Sequence, residues 1–189
     1  MGTVATKPIT IEEFDKLRLA EDRIWELHGG EIVEVPFAKF MHIELQIRLL
    51  DLLRKAYPQA YVLMEFPFQI EETNDKRSAD VGMTTKERAQ ASAEQGILSG
   101  APELLAEVLS PSNSMADMRR DRRVFFAHGT MVYLVIDPND STIEVYRKQE
   151  KSTPTLTIED QLALSLFGEE KTIPVAAIFA GITAPIPES

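Results

Sequence analysis

The sequence predicts a mixed α/β protein, and three stretches carry that prediction. Val62, Met64, Phe66, Phe68 and Ile70 are spaced two apart, the pattern of a strand with one face in a core. Residues 41–56 place Ile43, Ile47 and Leu50 on one side and Leu45, Leu49, Leu52, Leu53 and Ala56 beside it, the pattern of an amphipathic helix. Residues 132–136 and 142–147 flank Asp137-Pro138-Asn139-Asp140, which reads as two strands joined by a turn. With 189 residues, 44% of them hydrophobic and 26% charged, and with no internal repeat or dividing linker, one domain over 1–189 is expected.

The other elements follow in order. Thr10 and Glu13 have capping-box spacing and open a helix expected to reach about Ala20. Residues 24–28 and 31–35 around Gly29-Gly30 predict a hairpin. Pro58 ends the long helix, and the alternating strand runs into a polar loop over 71–76. A short strand around 79–83 carries Asp80, and 85–94 reads as a surface helix or loop. Leu104 to Leu109 is an apolar strand, Ser110-Pro111-Ser112-Asn113-Ser114 a turn, and Ser114 with Asp117 caps a helix ending at Gly129. The tail alternates short apolar pieces with Pro154, Pro174, Pro185 and Pro187.

Composition excludes several chemistries. The chain has no Cys, so disulfides, thiolate metal sites and Cys nucleophiles are out; His28, His42 and His128 lack close metal-ligand spacing. Nothing approaches the ~20 apolar residues that span a bilayer, so a cytoplasmic location without membrane association is expected. A net charge of −10 argues against a broad electrostatic grip on DNA. Any nucleic-acid contact must be local. The dense basic cluster is Arg119-Arg120-Asp121-Arg122-Arg123, readable as a partly ion-paired surface or as a phosphate clamp.

Two acidic strand ends are the chemical signal: Asp80 in Arg77-Ser78-Ala79-Asp80-Val81, and Glu107 in Leu104-Leu105-Ala106-Glu107-Val108-Leu109. Carboxylates are rarely buried unless paired, hydrogen-bonded or bound to metal, so something must compensate Glu107. Mg²⁺ suits such a pair, because it takes one or two protein carboxylates and completes its shell with water and phosphate. The alternative is a carboxylate capped by backbone N–H groups or paired with an arginine such as Arg77.

The ordered series Glu26-Leu27-His28-Gly29-Gly30-Glu31-Ile32, Arg77-x-x-Asp80-Val81, Pro102-x-Leu104-x-x-Glu107-Val108-Leu109-Ser110-Pro111-Ser112, Tyr133-Leu134-Val135-Ile136-Asp137-Pro138 and Val145-Tyr146 resembles the Uma2 family of the PD-(D/E)XK nuclease superfamily. The resemblance implies a restriction-endonuclease-like fold, a mixed central sheet flanked by helices, preceded here by the N-terminal helix and hairpin. It implies Asp80 and Glu107 as metal ligands, the Val108 carbonyl as a backbone ligand and Glu26 as an accessory acid. Mg²⁺ or Mn²⁺ is the implied cofactor, nucleic acid, DNA ahead of RNA, the implied substrate, and a homodimer the implied assembly. The implied activity is phosphodiester hydrolysis by an endonuclease.

Departures from the pattern leave a second reading open. The superfamily has Lys two residues after the second acid, and here that place is Leu109. Uma2 proteins commonly supply Lys eight residues before the Gly matching Gly129, and here that place is Asp121. Arg120 or Arg122 is therefore expected to reach in, or the chemistry is impaired and the chain is a degenerate, homo-oligomeric binding or scaffold protein. His42 matches a His frequent in the family, although a helix-start residue facing solvent is the ordinary expectation.

Overall fold

The computed structural model describes residues 7–110 and 115–181, so the expected turn residues 111–114, the Ser114 cap, Pro185 and Pro187 lie outside the described residues. Helix α1 (Ile11–Asp15) has the expected capping box, with Thr10 Oγ1 accepting from Glu13 N–H at 3.2 Å and Glu13 Oε2 from Thr10 N–H at 2.8 Å. It stops well before Ala20, because none of its residues is buried and no apolar face holds a further turn. Strands β1 (Ile24–His28) and β2 (Glu31–Val35) form the expected hairpin, and Gly29 and Gly30 at φ 58° and 83° supply its left-handed turn.

Helix α2 (Phe40–Ala56) buries Leu45, Gln46, Leu49, Leu50 and Leu53, while Ile43 and Ile47 face outward. Strand β3 (Ala60–Ile70) turns through a short 3₁₀ segment at Glu71–Thr73 and Asn74, φ 53°, into β4 (Asp75–Thr85). The expected polar loop is therefore shorter, and β4 twice as long, as the sequence pattern indicates. Asp75 and Arg77 do not break the strand because they neutralise one another within it. Thr85 caps α3 (Lys86–Ala91), and the two-residue β5 (Leu98–Ser99) leads to β6 (Leu104–Val108). Helix α4 (Met115–Ala127), β7 (Val132–Asp137) and β8 (Thr142–Arg147) follow as expected. The tail then forms β9 (Thr155–Leu156), a β10 (Gln161–Leu166)–β11 (Glu169–Pro174) hairpin and α5 (Val175–Phe179).

One mixed sheet joins β1 to β9 in the order β2-β1-β4-β6-β7-β8-β9, with β3 pairing β4 and β5. The β6–β7 pair is parallel and connected through α4; β7–β8 and β3–β4 are antiparallel. One face packs against α2, α5 and the β10–β11 hairpin, the other against α4. Val62, Val81, Met83, Leu104, Ala106 and Val108 point to the first layer, and Phe66, Phe68, Ile70, Ala79, Leu105 and Phe125 to the second.

This division corrects the single-faced reading of β3. Val62 and Phe66 differ by an even number yet lie in opposite layers, and so do Ala79 and Val81. Both strands change face at one place, where the ladder passes from Met64–Val81 to Phe66–Ala79 and skips Glu65 and Asp80. Glu65 is in the left-handed region at φ 47°, which rotates the chain over.

Candidate active site

The edge of β4 facing β1 and β6 is only partly paired. β1 meets it at Lys76 and β6 at Val81–Met83, which leaves a gap from Arg77 to Asp80. Polar groups from both flanking strands reach this gap. Glu26 on β1 accepts Ser78 N–H through Oε1 at 2.8 Å, and its Oε2 lies 2.6 Å from His28 Nε2. From β6, Val108 N–H donates to Asp80 Oδ2 at 2.6 Å, in place of a β4 carbonyl.

That bond also fixes a carbonyl. Leu109 N–H bonds to Ile136 O on β7, so Val108, one residue earlier, has its polar groups on the opposite edge. In an extended strand the N–H and C=O of one residue point the same way, so the Val108 carbonyl is directed into the gap beside Asp80.

Asp80 is held from the other layer as well. Its Oδ1 accepts from His42 Nε2 at 2.8 Å and from Gln46 Nε2 at 2.9 Å, and Gln46 also donates to Glu65 Oε1 at 2.7 Å. His42 therefore does not face solvent; the helix start is turned toward the carboxylate. Burial pulls the His42 imidazole down, but its hydrogen bond to Asp80 and the charges of Asp80 and Glu65 carry it above its ordinary value. Burial raises the Glu65 carboxyl, and the Asp80 charge adds to the rise against the Gln46 hydrogen bond.

Glu107 sits in the α4 layer, opposite Val135 of β7. Burial lifts its carboxyl well above the ordinary range, the nearby Asp80 and Glu26 charges raise it further, and Arg77 opposes them. Among the described residues no donor hydrogen-bonds this carboxylate. Asp80, Glu107 and Val108 thus offer hard oxygen donors around a concentration of negative charge. No three His, Asp or Glu side chains converge as a cage among the described residues. A two-carboxylate set suits Mg²⁺, which keeps several waters.

The arginine whose charge acts on Glu107 is one that the residue pattern assigned to no catalytic role. Arg77 is 7% exposed and lies between Asp75, 1% exposed, and Asp121. Its Nε and Nη2 contact Asp75 Oδ1 at 2.8 and 2.6 Å, and its Nη1 contacts Asp121 Oδ2 at 2.8 Å. The guanidinium also stands 5.3 Å from the Phe125 ring centre. Asp121 is the counter-ion of a buried arginine 44 residues away, a relation that no local pattern signals.

Arg120 and Arg122 are placed differently from the expectation that one would reach the acids. Arg120 is exposed and contacts Asp117 at 3.4 Å and Asp121 at 3.4 Å. Arg122 stacks on Tyr146, with 4.1 Å from guanidinium carbon to ring centre. Among the described residues neither forms an ion pair or hydrogen bond with Asp80, Glu107 or Glu26. The reason lies in the helix: successive positions diverge by about 100° around α4, and Asp121 occupies the one turned toward β4.

The model of the Uma2 family, described as "Putative restriction endonuclease", matches residues 11–183. The chain belongs to the Uma2 family. Restriction-endonuclease-like proteins generally use divalent metal ions. The fold of this Uma2 chain is similar to the crystal structure of "a putative nuclease belonging to DUF820" from Anabaena variabilis, with a TM-score of 0.76 and 23% identity over 91% of this chain and 98% of the other. No curated protein matches this Uma2 sequence. Among its described residues no helix is long and apolar enough to cross a membrane.

Proposed function

We propose that this chain is a metal-dependent endonuclease of one domain, with Asp80, Glu107 and the Val108 carbonyl holding Mg²⁺ or Mn²⁺. The observation that carries this is the gap along β4, beside which the buried Glu107 carboxyl faces the Asp80 and Glu26 charges without a hydrogen-bond donor among the described residues. A bound divalent cation would supply a water of lowered pKa and neutralise charge on the phosphoryl oxygens. His42, Gln46 and Val108 N–H orient Asp80, and Glu26 holds the β1 side of the gap through Ser78. Arg77 opposes the negative charge around Glu107 only in part, because Asp75 and Asp121 already neutralise it where the missing Lys would stand free. Arg77 cannot serve as a base, since it stays protonated. DNA in preference to RNA, and a homodimer in the cytoplasm, belong to the same reading.

A second reading, a nuclease fold retained for binding alone, is favoured by the two aspartates that already hold Arg77. Cleavage separates the two. Plasmid and single-stranded DNA are incubated with Mg²⁺ or Mn²⁺ and with either the native protein or Glu107→Ala purified identically. Cleavage lost in the variant supports the endonuclease. Equal or absent cleavage in both rejects it for these substrates and leaves the binding protein.

A further inference from the structure

Helix α4 carries four arginines, and they do not share one fate. Arg120 is ion-paired, but among the described residues the guanidinium groups of Arg119, Arg122 and Arg123 make no ion pair or hydrogen bond. Arg119 and Arg122, three apart and so neighbours on the helix surface, line one small notch with Tyr133, Val135 and Tyr146. Arg123 is exposed elsewhere on the helix.

The notch is built to present Arg122. Its flat face is stacked on Tyr146, whose hydroxyl donates to Glu144, so the guanidinium is immobilised with its N–H edge unused. An arginine pinned this way is a pre-formed receptor for a planar or tetrahedral oxyanion. The cavity is only about 10 Å³, enough for a water, so a ligand rests on its rim and is not swallowed.

Position names the ligand. Val135 is the direct cross-strand partner of Glu107, so the notch lies one strand spacing, about 5 Å, from the candidate metal ligand on the same sheet face. We propose that Arg119 and Arg122 hold a backbone phosphate of the nucleic-acid strand, next to the phosphate placed at Glu107. The inference rests on the endonuclease reading and gives these arginines a binding role in place of the catalytic one expected for Arg122. It also explains how a chain of net charge −10 engages a polyanion through a confined basic spot.

The test uses a short fluorescein-labelled single strand and its duplex, with binding read by anisotropy over a salt series and cleavage measured in parallel. For the double variant Arg119→Ala/Arg122→Ala, the slope of log K against log salt should become shallower by about 0.7 per lost contact on the single strand and about 0.9 on the duplex. KM should rise at near-constant kcat, whatever the sequence. Arg119→Gln alone should give half the slope change in a side chain whose loss leaves the core untouched, and Arg123→Ala should give none. A slope unchanged in the double variant, when the native protein does cleave, overturns this inference alone. So does a fall in kcat without a rise in KM, which would return Arg122 to catalysis. A native protein that neither binds nor cleaves either probe overturns the endonuclease reading together with this one.

Discussion

Arg77 on β4 and Asp121 on α4 are joined by two contacts, Nη1 to Oδ2 at 2.8 Å and Nη2 to Oδ1 at 3.1 Å, and Asp75 completes a buried triad around the guanidinium. Breaking such a group is costly because it strands an uncompensated charge. Arg77→Met should destabilise the protein by about 3–5 kcal/mol, read as a lower midpoint in urea. Asp121→Lys, which restores the residue common in the family, should also lower stability, because it sets a second cation against Arg77. It should not raise cleavage; a rise at unchanged stability would show that the triad is dispensable.

Glu107 should oppose folding stability at neutral pH. Its folded carboxyl is raised above its ordinary 4.5, so between the two values the native state holds the extra proton and stability falls as pH rises. Glu107→Gln should therefore raise the thermal midpoint at pH 7 to 8, with the gain shrinking toward pH 4.5. Mn²⁺ at 100 times its Kd should stabilise the native protein by about 2.7 kcal/mol and leave the Gln variant nearly unmoved. A variant no more stable than the native chain at pH 8 would show that the negative cluster is relieved by other means.

His42 has the opposite sign. A raised imidazole stabilises fully below its unfolded value near 6.5 and loses that contribution as pH climbs through the folded value. Removing its hydrogen bond to a charged partner should cost about 1.5–3 kcal/mol at pH 6. The loss in His42→Ala should shrink at pH 8.5, measured by denaturant titration at both values. Equal losses would mean that the side chain acts by packing alone.

Gly82 tests the sheet behind the site. A Cβ there would lie 2.5 Å from Phe66 Cγ, far inside contact distance. Gly82→Ala should cost about 1–3 kcal/mol as Phe66 is forced off its rotamer. Pairing it with Phe66→Leu should recover part of the loss.

Local patterns made the elements legible, and long-range charge pairing kept the site half hidden. The Thr10–Glu13 cap, the Gly29-Gly30 turn and the helix from Phe40 each depend on neighbours in sequence, and each formed. Asp80 and Glu107 were visible as acids in apolar strands, where any carboxylate is anomalous. Arg77, by contrast, looks like an ordinary strand-end cation until β4 and α4 pack together. The β10–β11 hairpin was obscured by nearby prolines, although Leu162, Leu164 and Leu166 alternate as a strand should. Glu65 carries no mark of its left-handed backbone, since strand alternation continues by residue type while the chain changes face.

The change of face at Glu65 and Asp80 divides the protein mechanically. Upstream and downstream of that crossing, the same two strands answer to different packing partners, so a perturbation beneath α2 and one beneath α4 share almost no neighbours. Their effects on stability should add, as they do for independent sites. The acids are where that independence ends: Asp80 is gripped by α2 while Glu107 stands beneath α4, and the Val108 N–H bond couples them. The two layers can therefore drift separately in sequence, and the distance between the two carboxylates is the one quantity on which both must continue to agree.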